Sequence, residues 1–366
     1  MSDRPDEKRN PLSRREVVST GIAAVAGFGL GRVAAAKSTA PAETTPPPAA
    51  PVGASAAAPA APYNPRTHLA MPTRNLGRTG YQVGLFSLGG QATIEQPDRE
   101  QEAIALVERA LDLGVNYLDT AARYGGDAQW SQKYIGQVMK RRRNEVFLAS
   151  KTHDRGYDGS MRLLEESLRQ LQTDRLDLWQ LHNVRNASDI ERIFAPGGAI
   201  EALVKAREQG LVRFVGITGH ADPHVLAEGL RRFAFDTILL AVNAADRHHL
   251  SFIEHLLPLA LEQQLGIVAM KIPARGRILD SWQPRDGDRY GSTRPGTIGI
   301  REAFAYVYSL PVSTAIVGCD TIAQLEENVA IAREFTPLNA DQLAALEAKT
   351  AAIHRQALFF RDWDRA

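Results

Sequence analysis

The stretch EVFLASKTHDRGYDGSMRLLEESLRQLQTDRLDLWQLH, residues 145–182, contains the pattern that decides the fold. It begins with a short apolar run at 145–150 and continues through an amphipathic pattern at 159–172. A second apolar run follows at 176–181. Short apolar runs predict buried strands, and apolar residues at helical spacing predict a helix. A strand, a helix and a strand in this order predict a parallel βαβ unit.

The same alternation continues on both sides of this stretch. Strands are predicted at 84–88, 115–119, 145–150, 176–181, 212–217, 236–242, 266–270 and 313–317. Helical patterns lie between them, including 99–114, 159–172, 198–210, 250–266 and 322–335. Eight such units predict an α/β protein with a closed (β/α)8 TIM barrel, with an open doubly wound sheet as the alternative. The turn residues Gly77–Gly80 within 73–84 predict a β-hairpin before the barrel.

The composition excludes several classes of protein. The chain has 366 residues, 43 Lys plus Arg and 42 Asp plus Glu, for a formal net charge of +1. No strongly basic surface is predicted, so a nucleic-acid partner is not expected. The single cysteine, Cys319, excludes an intrachain disulfide and a cysteine metal cluster. The histidines around His248 lack a supporting carboxylate pattern, so no metal site is predicted.

The N-terminus has the order of an export signal. Residues 1–36 include the paired arginines Arg14 and Arg15, a mildly apolar stretch at 19–31 and a small-residue run that ends at Ala36. This resembles a twin-arginine (Tat) signal and predicts the Tat machinery as a partner and a periplasmic location after cleavage. The apolar stretch is too short for a stable membrane span. Residues 37–70 are predicted to be a disordered Pro/Ala-rich linker, and 71–366 the barrel domain.

Four polar residues lie at or just after the ends of three predicted strands: Asp119, Tyr124, Lys151 and His182. An ionisable group beside a core is costly unless it is paired. The carboxyl ends of adjacent barrel strands meet at one face, so the four side chains are predicted to share a pocket.

These residue types together suit proton transfer. A tyrosine hydroxyl has an ordinary pKa near 10, and a neighbouring ammonium such as that of Lys151 is expected to lower it. Asp119 would hold the lysine, and His182 would orient a substrate carbonyl. Because no flavin or metal signature is present, a nicotinamide cofactor is the predicted hydride donor.

Several motifs resemble those of the aldo-keto reductases: LGRTG (76–80), NYLDTAARYGG (116–126), LASKT (148–152), LDLWQLHN (176–183), RFVGIT (213–218) and AIVGCDTIAQLEENV (315–329). The resemblance covers residues 71–366. It implies a catalytic tetrad with Tyr124 as the general acid, a small carbonyl or alcohol substrate, and NADP(H) in preference to NAD(H). The implied cofactor positions are Gly90, Thr218, Met270, Lys271, Gly318, Cys319, Asp320, Gln324, Glu327 and Asn328.

The sequence also departs from the pattern of that family. Thr218 begins a Thr-Gly-His run where the family usually has Ser-Asn, Leu239 aligns with the usual Gln, and Met270 replaces a stacking aromatic residue. Lys271 could reach the cofactor pyrophosphate. A carboxylate at Asp320 would disfavour a ribose 2′-phosphate.

Two further functions stay open: a nicotinamide-sensing binding subunit with vestigial catalysis, and a barrel lyase or isomerase without net redox chemistry. The long polar loop 274–297 is predicted to cover substrate or cofactor, with an inert excursion as the alternative. The C-terminal segment 358–363 could cover the pocket or dock on the barrel. The substrate itself is not identified by the sequence.

Overall fold

A computed structural model describes residues 60–284, 288 and 292–362. The described residues belong to one compact unit, Ala58–Ala366. The predicted signal peptide and most of the predicted linker lie outside the described residues.

The predicted α/β barrel is confirmed. Eight parallel strands form a closed ring, in which each strand pairs with the next along the chain and the last pairs with the first. The barrel strands are β3 (Phe86–Gly89), β4 (Tyr117–Asp119), β5 (Phe147–Thr152), β6 (Leu176–Leu181), β7 (Val212–Gly219), β8 (Thr237–Ala241), β9 (Gly266–Met270) and β10 (Thr314–Val317). Nearly all their residues are buried, because a parallel barrel is covered by side chains inside and by helices outside.

The helices follow the strands and cover the outside of the barrel. They are α1 (Thr67–Ala70), α2 (Glu100–Asp112), α3 (Trp130–Arg142), α4 (Tyr157–Leu171), α5 (Ala187–Phe194), α6 (Ala199–Glu208), α7 (Pro223–Arg232), α8 (Phe252–His255), α9 (Leu257–Glu262), α10 (Ile300–Ser309), α11 (Ile322–Arg333), α12 (Ala340–Thr350) and α13 (His354–Ala357). The helix predicted at 250–266 is divided at Leu256, where a proline enters the first turn of α9. Proline lacks the N–H that a continuous helix would need there.

The predicted hairpin is present at the amino-terminal end of the barrel. Strands β1 (Thr73–Asn75) and β2 (Gln82–Gly84) pair antiparallel. Gly77 has a φ of 54°, and a Cβ on it would lie 2.1 Å from the backbone nitrogen of Gly266. Only glycine permits this approach, which seats the hairpin against the start of β9.

The folded region begins earlier than the predicted boundary at residue 71. Asn64 is 1% exposed, and its side-chain amide donates hydrogen bonds to the carbonyl oxygens of Leu111 (2.8 Å) and Val115 (3.3 Å). Thr67 is also buried, at the start of α1. Composition could not predict this earlier start, because the segment around Asn64 is poor in apolar residues and is held by a few specific hydrogen bonds.

Among residues 60–284, 288 and 292–362, no helix combines the length and the apolar character that crossing a membrane requires. In the same residues, no group of three or more His, Cys, Asp and Glu side chains is arranged to hold a metal ion. His248 instead places Nε2 2.8 Å from the carbonyl oxygen of Glu347.

Candidate active site

The four predicted catalytic residues are brought together at the carboxyl face of the barrel. Asp119 ends β4, Lys151 lies near the end of β5, and His182 directly follows β6. Tyr124 lies in the loop after β4. The rings of Tyr124 and His182 pack edge to face, with centroids 5.7 Å apart. The carboxyl ends of the adjacent parallel strands β4, β5 and β6 therefore bring the four side chains to one place.

Lys151 is the centre of this group. Its Nζ forms an ion pair with Asp119 Oδ2, donates to the carbonyl oxygen of Thr120 at 2.8 Å, and lies 3.4 Å from the Tyr124 hydroxyl. Gln180 adds a hydrogen bond from Nε2 to Asp119 Oδ1 at 3.2 Å. The lysine is thus fixed on one side and directed at the phenol on the other.

Burial dominates the titration of the ion pair. Asp119 is 3% exposed and Lys151 is 1% exposed. Loss of hydration raises the pKa of Asp119 and lowers the pKa of Lys151, while the attraction between the two charges acts in the opposite direction on both. The two groups therefore depend on each other, because either charge alone would be buried without compensation.

The pKa of Tyr124 is raised, whereas the sequence alone predicted that Lys151 would lower it. Burial, followed by the negative charges of Asp119 and Glu95, raises the pKa of the phenol well above its ordinary value. Burial and the positive charge of Lys151 lower the pKa of His182 well below its ordinary value. At neutral pH the site accordingly holds a protonated phenol and a neutral imidazole, a combination that can donate a proton to a carbonyl oxygen.

A cavity of about 620 Å³ opens beside Tyr124. It is lined by residues of β3, β4, β8, β9 and β10, by the loops after β3, β4, β9 and β10, and by the first turns of α11. Its volume lies within the usual range of small-molecule sites, roughly 300 to 1,000 Å³.

Most of the predicted cofactor positions line this cavity: Gly90, Met270, Lys271, Gly318, Asp320, Gln324, Glu327 and Asn328. The side chains of Thr218 and Cys319 lie elsewhere. Thr218 accepts a hydrogen bond from the backbone N–H of Asn183 at 2.8 Å, and the buried thiol of Cys319 accepts one from Asn328 at 3.4 Å. Burial raises the pKa of Cys319 to about 12, so the thiol is inert packing behind the cavity wall.

The described residues place parts of two segments whose roles the sequence left open. Arg275, Gly276, Leu279 and Ser281, from the loop 274–297, form part of the cavity wall. The tail docks on the barrel through Arg361, which is 5% exposed. Its guanidinium donates to the carbonyl oxygen of His220 and to Asp246 Oδ2, both at 2.6 Å.

Several residues of the site carry no readable signal in the sequence. Gln91 and Glu95 line the cavity from the loop after β3, and Lys271 Nζ lies 3.5 Å from Gln91 Oε1. Arg155 donates to the carbonyl oxygen of His182 at 2.9 Å. Each is a polar residue in a loop, and only the folded chain shows which loops meet.

The comparisons with known proteins agree with this geometry. A model of the Aldo/keto reductase family matches residues 82–294, more than half of the chain. The chain belongs to the aldo/keto reductase family. It is 28% identical over 302 residues to L-galactose dehydrogenase of Arabidopsis thaliana, covering 75% of this chain and 93% of the relative.

Two solved aldo-keto reductases extend the comparison. The holo form of AKR11C1 from Bacillus halodurans has a TM-score of 0.63 and 26% identity, covering 78% of this chain and 99% of that one. The enzyme from Klebsiella pneumoniae, in complex with NADP and acetate, has a TM-score of 0.60 and 25% identity, covering 77% and 96%. Members of this family are oxidoreductases, and the bound NADP of that neighbour supports a nicotinamide cofactor.

The residues of the cavity suit such a cofactor. Lys271 and Arg275 place positive charge on the cavity wall, as a pyrophosphate requires. Met270, Leu239 and Ile316 supply apolar surface of the kind that packs against a planar ring. The first turns of α11 add the polar side chains Gln324, Glu327 and Asn328.

Proposed function

We propose that the protein is an NAD(P)H-dependent carbonyl reductase that converts a small aldehyde or ketone to an alcohol, or runs the reverse reaction. The observation that carries this proposal is the contact of Lys151 Nζ with both Asp119 and the Tyr124 hydroxyl, at the edge of the 620 Å³ cavity. When bound, the nicotinamide would supply hydride to the carbonyl carbon.

The chain's own residues would handle the proton. Tyr124 is the general acid and transfers its hydroxyl proton to the carbonyl oxygen, leaving a phenolate beside the Lys151 ammonium. That ammonium stabilises the negative charge, because it is fixed 3.4 Å away before the reaction begins. His182, neutral because burial lowers its pKa, donates a hydrogen bond that orients the carbonyl oxygen. Asp119 positions Lys151.

The family preference favours NADP(H), whereas the carboxylate of Asp320 on the cavity wall favours NAD(H). Titration of the purified protein with NADPH and NADH, followed by protein fluorescence, separates the two. We expect at least one nucleotide to bind and to be oxidised when an aldehyde is added. Binding of neither nucleotide would end the reductase proposal, and binding without turnover on any carbonyl compound would favour a nucleotide-sensing subunit.

Nucleotide affinity is expected to depend on pH through Lys271. Burial, followed by the positive charge of Arg275, lowers the pKa of Lys271 to about 7. Its ammonium is therefore lost as pH rises through about 7, and a buried cation that attracts the pyrophosphate is lost with it. Fluorescence titration with NADH should show tighter binding below this pH than above it. Lys271→Met should flatten the dependence, and an equal slope in both proteins would contradict the assignment.

We also propose that the protein is exported through the twin-arginine route and acts in the periplasm. The support is the arrangement of residues 1–36 in the sequence. This route carries folded proteins, so the enzyme could leave the cytoplasm with its nucleotide bound. Replacing Arg14 and Arg15 by lysine should abolish the periplasmic form, which in the unaltered protein should begin at Lys37. Unchanged export in that variant would refute the route.

A further inference from the structure

A second recess lies beside the catalytic group, on the loops that follow β4, β5 and β6. Its volume is about 350 Å³. Arg123 in its wall directly precedes Tyr124, and Arg185 follows His182 by three residues. Its basic residues are Arg123, His153, Arg155, Arg185 and Arg192. The recess is therefore on the face of the barrel where a substrate would approach Tyr124.

The two carboxylates of the recess are already engaged. Asp189 accepts hydrogen bonds from Arg155 at 3.0 and 3.1 Å, and from the backbone N–H of Arg185 at 2.9 Å. Asp154 accepts one from the backbone N–H of Gly156 at 2.7 Å. Four arginines surround these two carboxylates, so the recess keeps an excess of positive charge.

Hydrogen bonds join the recess to the chain segment that begins at His182. Arg155 is 8% exposed and donates to the carbonyl oxygens of His182 and Asn183, each at 2.9 Å. The side-chain amide nitrogen of Asn183 donates a hydrogen bond to His220 Nδ1 at 2.8 Å. Its amide oxygen accepts one from Arg185 Nε at 2.9 Å. These contacts fix the inner wall of the recess.

The outer wall is formed by exposed cations. Arg123 and Arg192 are both exposed, and no carboxylate in residues 60–284, 288 and 292–362 forms an ion pair with either. His153 also lines the recess. Burial, followed by the positive charge of Arg123, lowers the pKa of its imidazole to about 4. Its buried Nδ1 lacks a hydrogen-bond partner among the described residues. The imidazole is neutral, so the positive charge comes from the arginines.

We propose that this recess binds an oxyanion group of the substrate, a carboxylate or a phosphate, so that the enzyme selects carbonyl compounds that carry a negative charge. The inference rests on the proposed carbonyl reductase function, since it assigns the substrate class of the same active site. The planar guanidinium groups of Arg123 and Arg192 suit both oxyanions, because each presents paired N–H donors.

Steady-state kinetics on matched substrates tests the proposal. Reduction of 4-oxobutanoate is compared with that of the neutral 4-oxobutanamide, and glyceraldehyde 3-phosphate with glyceraldehyde. We expect kcat/KM to favour at least one anionic member by about tenfold or more, because hydrogen bonds between guanidinium N–H groups and an anionic oxygen are stronger than those to a neutral oxygen. Preference within the first pair assigns a carboxylate, and preference within the second a phosphate. Equal values within both pairs overturn the proposal.

Variants connect the preference to the recess. Arg123→Gln with Arg192→Gln should reduce the ratio of anionic to neutral kcat/KM to near unity, chiefly through a higher KM for the anionic substrate. The matched control is Arg301→Gln, which removes an exposed arginine paired with Glu334 on the outside of the barrel and should leave the ratio unchanged. An unchanged ratio in the double variant overturns the assignment.

Binding measurements separate this inference from the proposed function. If no carbonyl compound is reduced, the proposed function fails, and calorimetric titration with succinate and with inorganic phosphate decides the recess alone. Binding of either anion that weakens about tenfold or more in the double variant, and not in Arg301→Gln, supports the oxyanion site. Absence of binding, or equal binding by all three proteins, overturns it.

Discussion

Tyr124→Phe is expected to lower kcat for carbonyl reduction by roughly 10²- to 10⁴-fold, the usual contribution of a positioned general acid. The substitution removes only the hydroxyl that lies 3.4 Å from Lys151 Nζ. The ring still packs against His182, so the affinity for NADPH or NADH should stay within about twofold of the unaltered protein. Single-turnover reduction with nucleotide already bound separates the chemical step from binding.

The matched control is Tyr63→Phe, because Tyr63 is 61% exposed and lies outside the cavity wall. It should leave kcat unchanged. The raised pKa of Tyr124 adds a second check: the phenol stays protonated at neutral and mildly alkaline pH, so its titration should not reduce the rate of reduction there. Wild-type turnover in Tyr124→Phe would refute the acid role.

Separating the buried ion pair should have the largest effect on stability. Asp119→Leu leaves the Lys151 ammonium buried, and Lys151→Met leaves the Asp119 carboxylate buried. Each should lower the free energy of unfolding by about 3–5 kcal/mol, because the remaining charge has lost both water and its partner. The double variant should be closer to the unaltered protein, since neither charge remains. Urea unfolding followed by circular dichroism measures all four proteins.

The catalytic activity of these variants should not follow their stability. All three variants should lose most of their turnover. Lys151→Met and the double variant lack the ammonium beside Tyr124, and Asp119→Leu lacks the carboxylate that holds this ammonium in place. In Asp119→Leu the unpaired lysine has a folded-state pKa below its unfolded value. The unfolded chain then binds more protons between these two values, so stability should rise with pH across that interval. Additive losses in the double variant would contradict the coupling of Asp119 and Lys151.

Much of the architecture could be read from local patterns. The alternation around residues 145–182 predicted the parallel barrel, because apolar runs and helical spacing reflect which faces are buried. The turn at Gly77–Gly80 predicted the hairpin that the structure contains. The start of the fold was harder to place, since Asn64 is ordered by hydrogen bonds to two distant carbonyl groups.

The sequence by itself determined which strand ends carry Asp119, Lys151 and His182, and the barrel then placed them side by side. The tertiary structure alone decided the direction of the Tyr124 pKa, because the dehydration of the phenol and the negative charges of Asp119 and Glu95 outweigh the positive charge of Arg275. The folded structure also places Cys319 behind the cavity wall. The arginine-rich recess forms where three loops meet, and its charges act together because folding brings residues from separate segments close to one another.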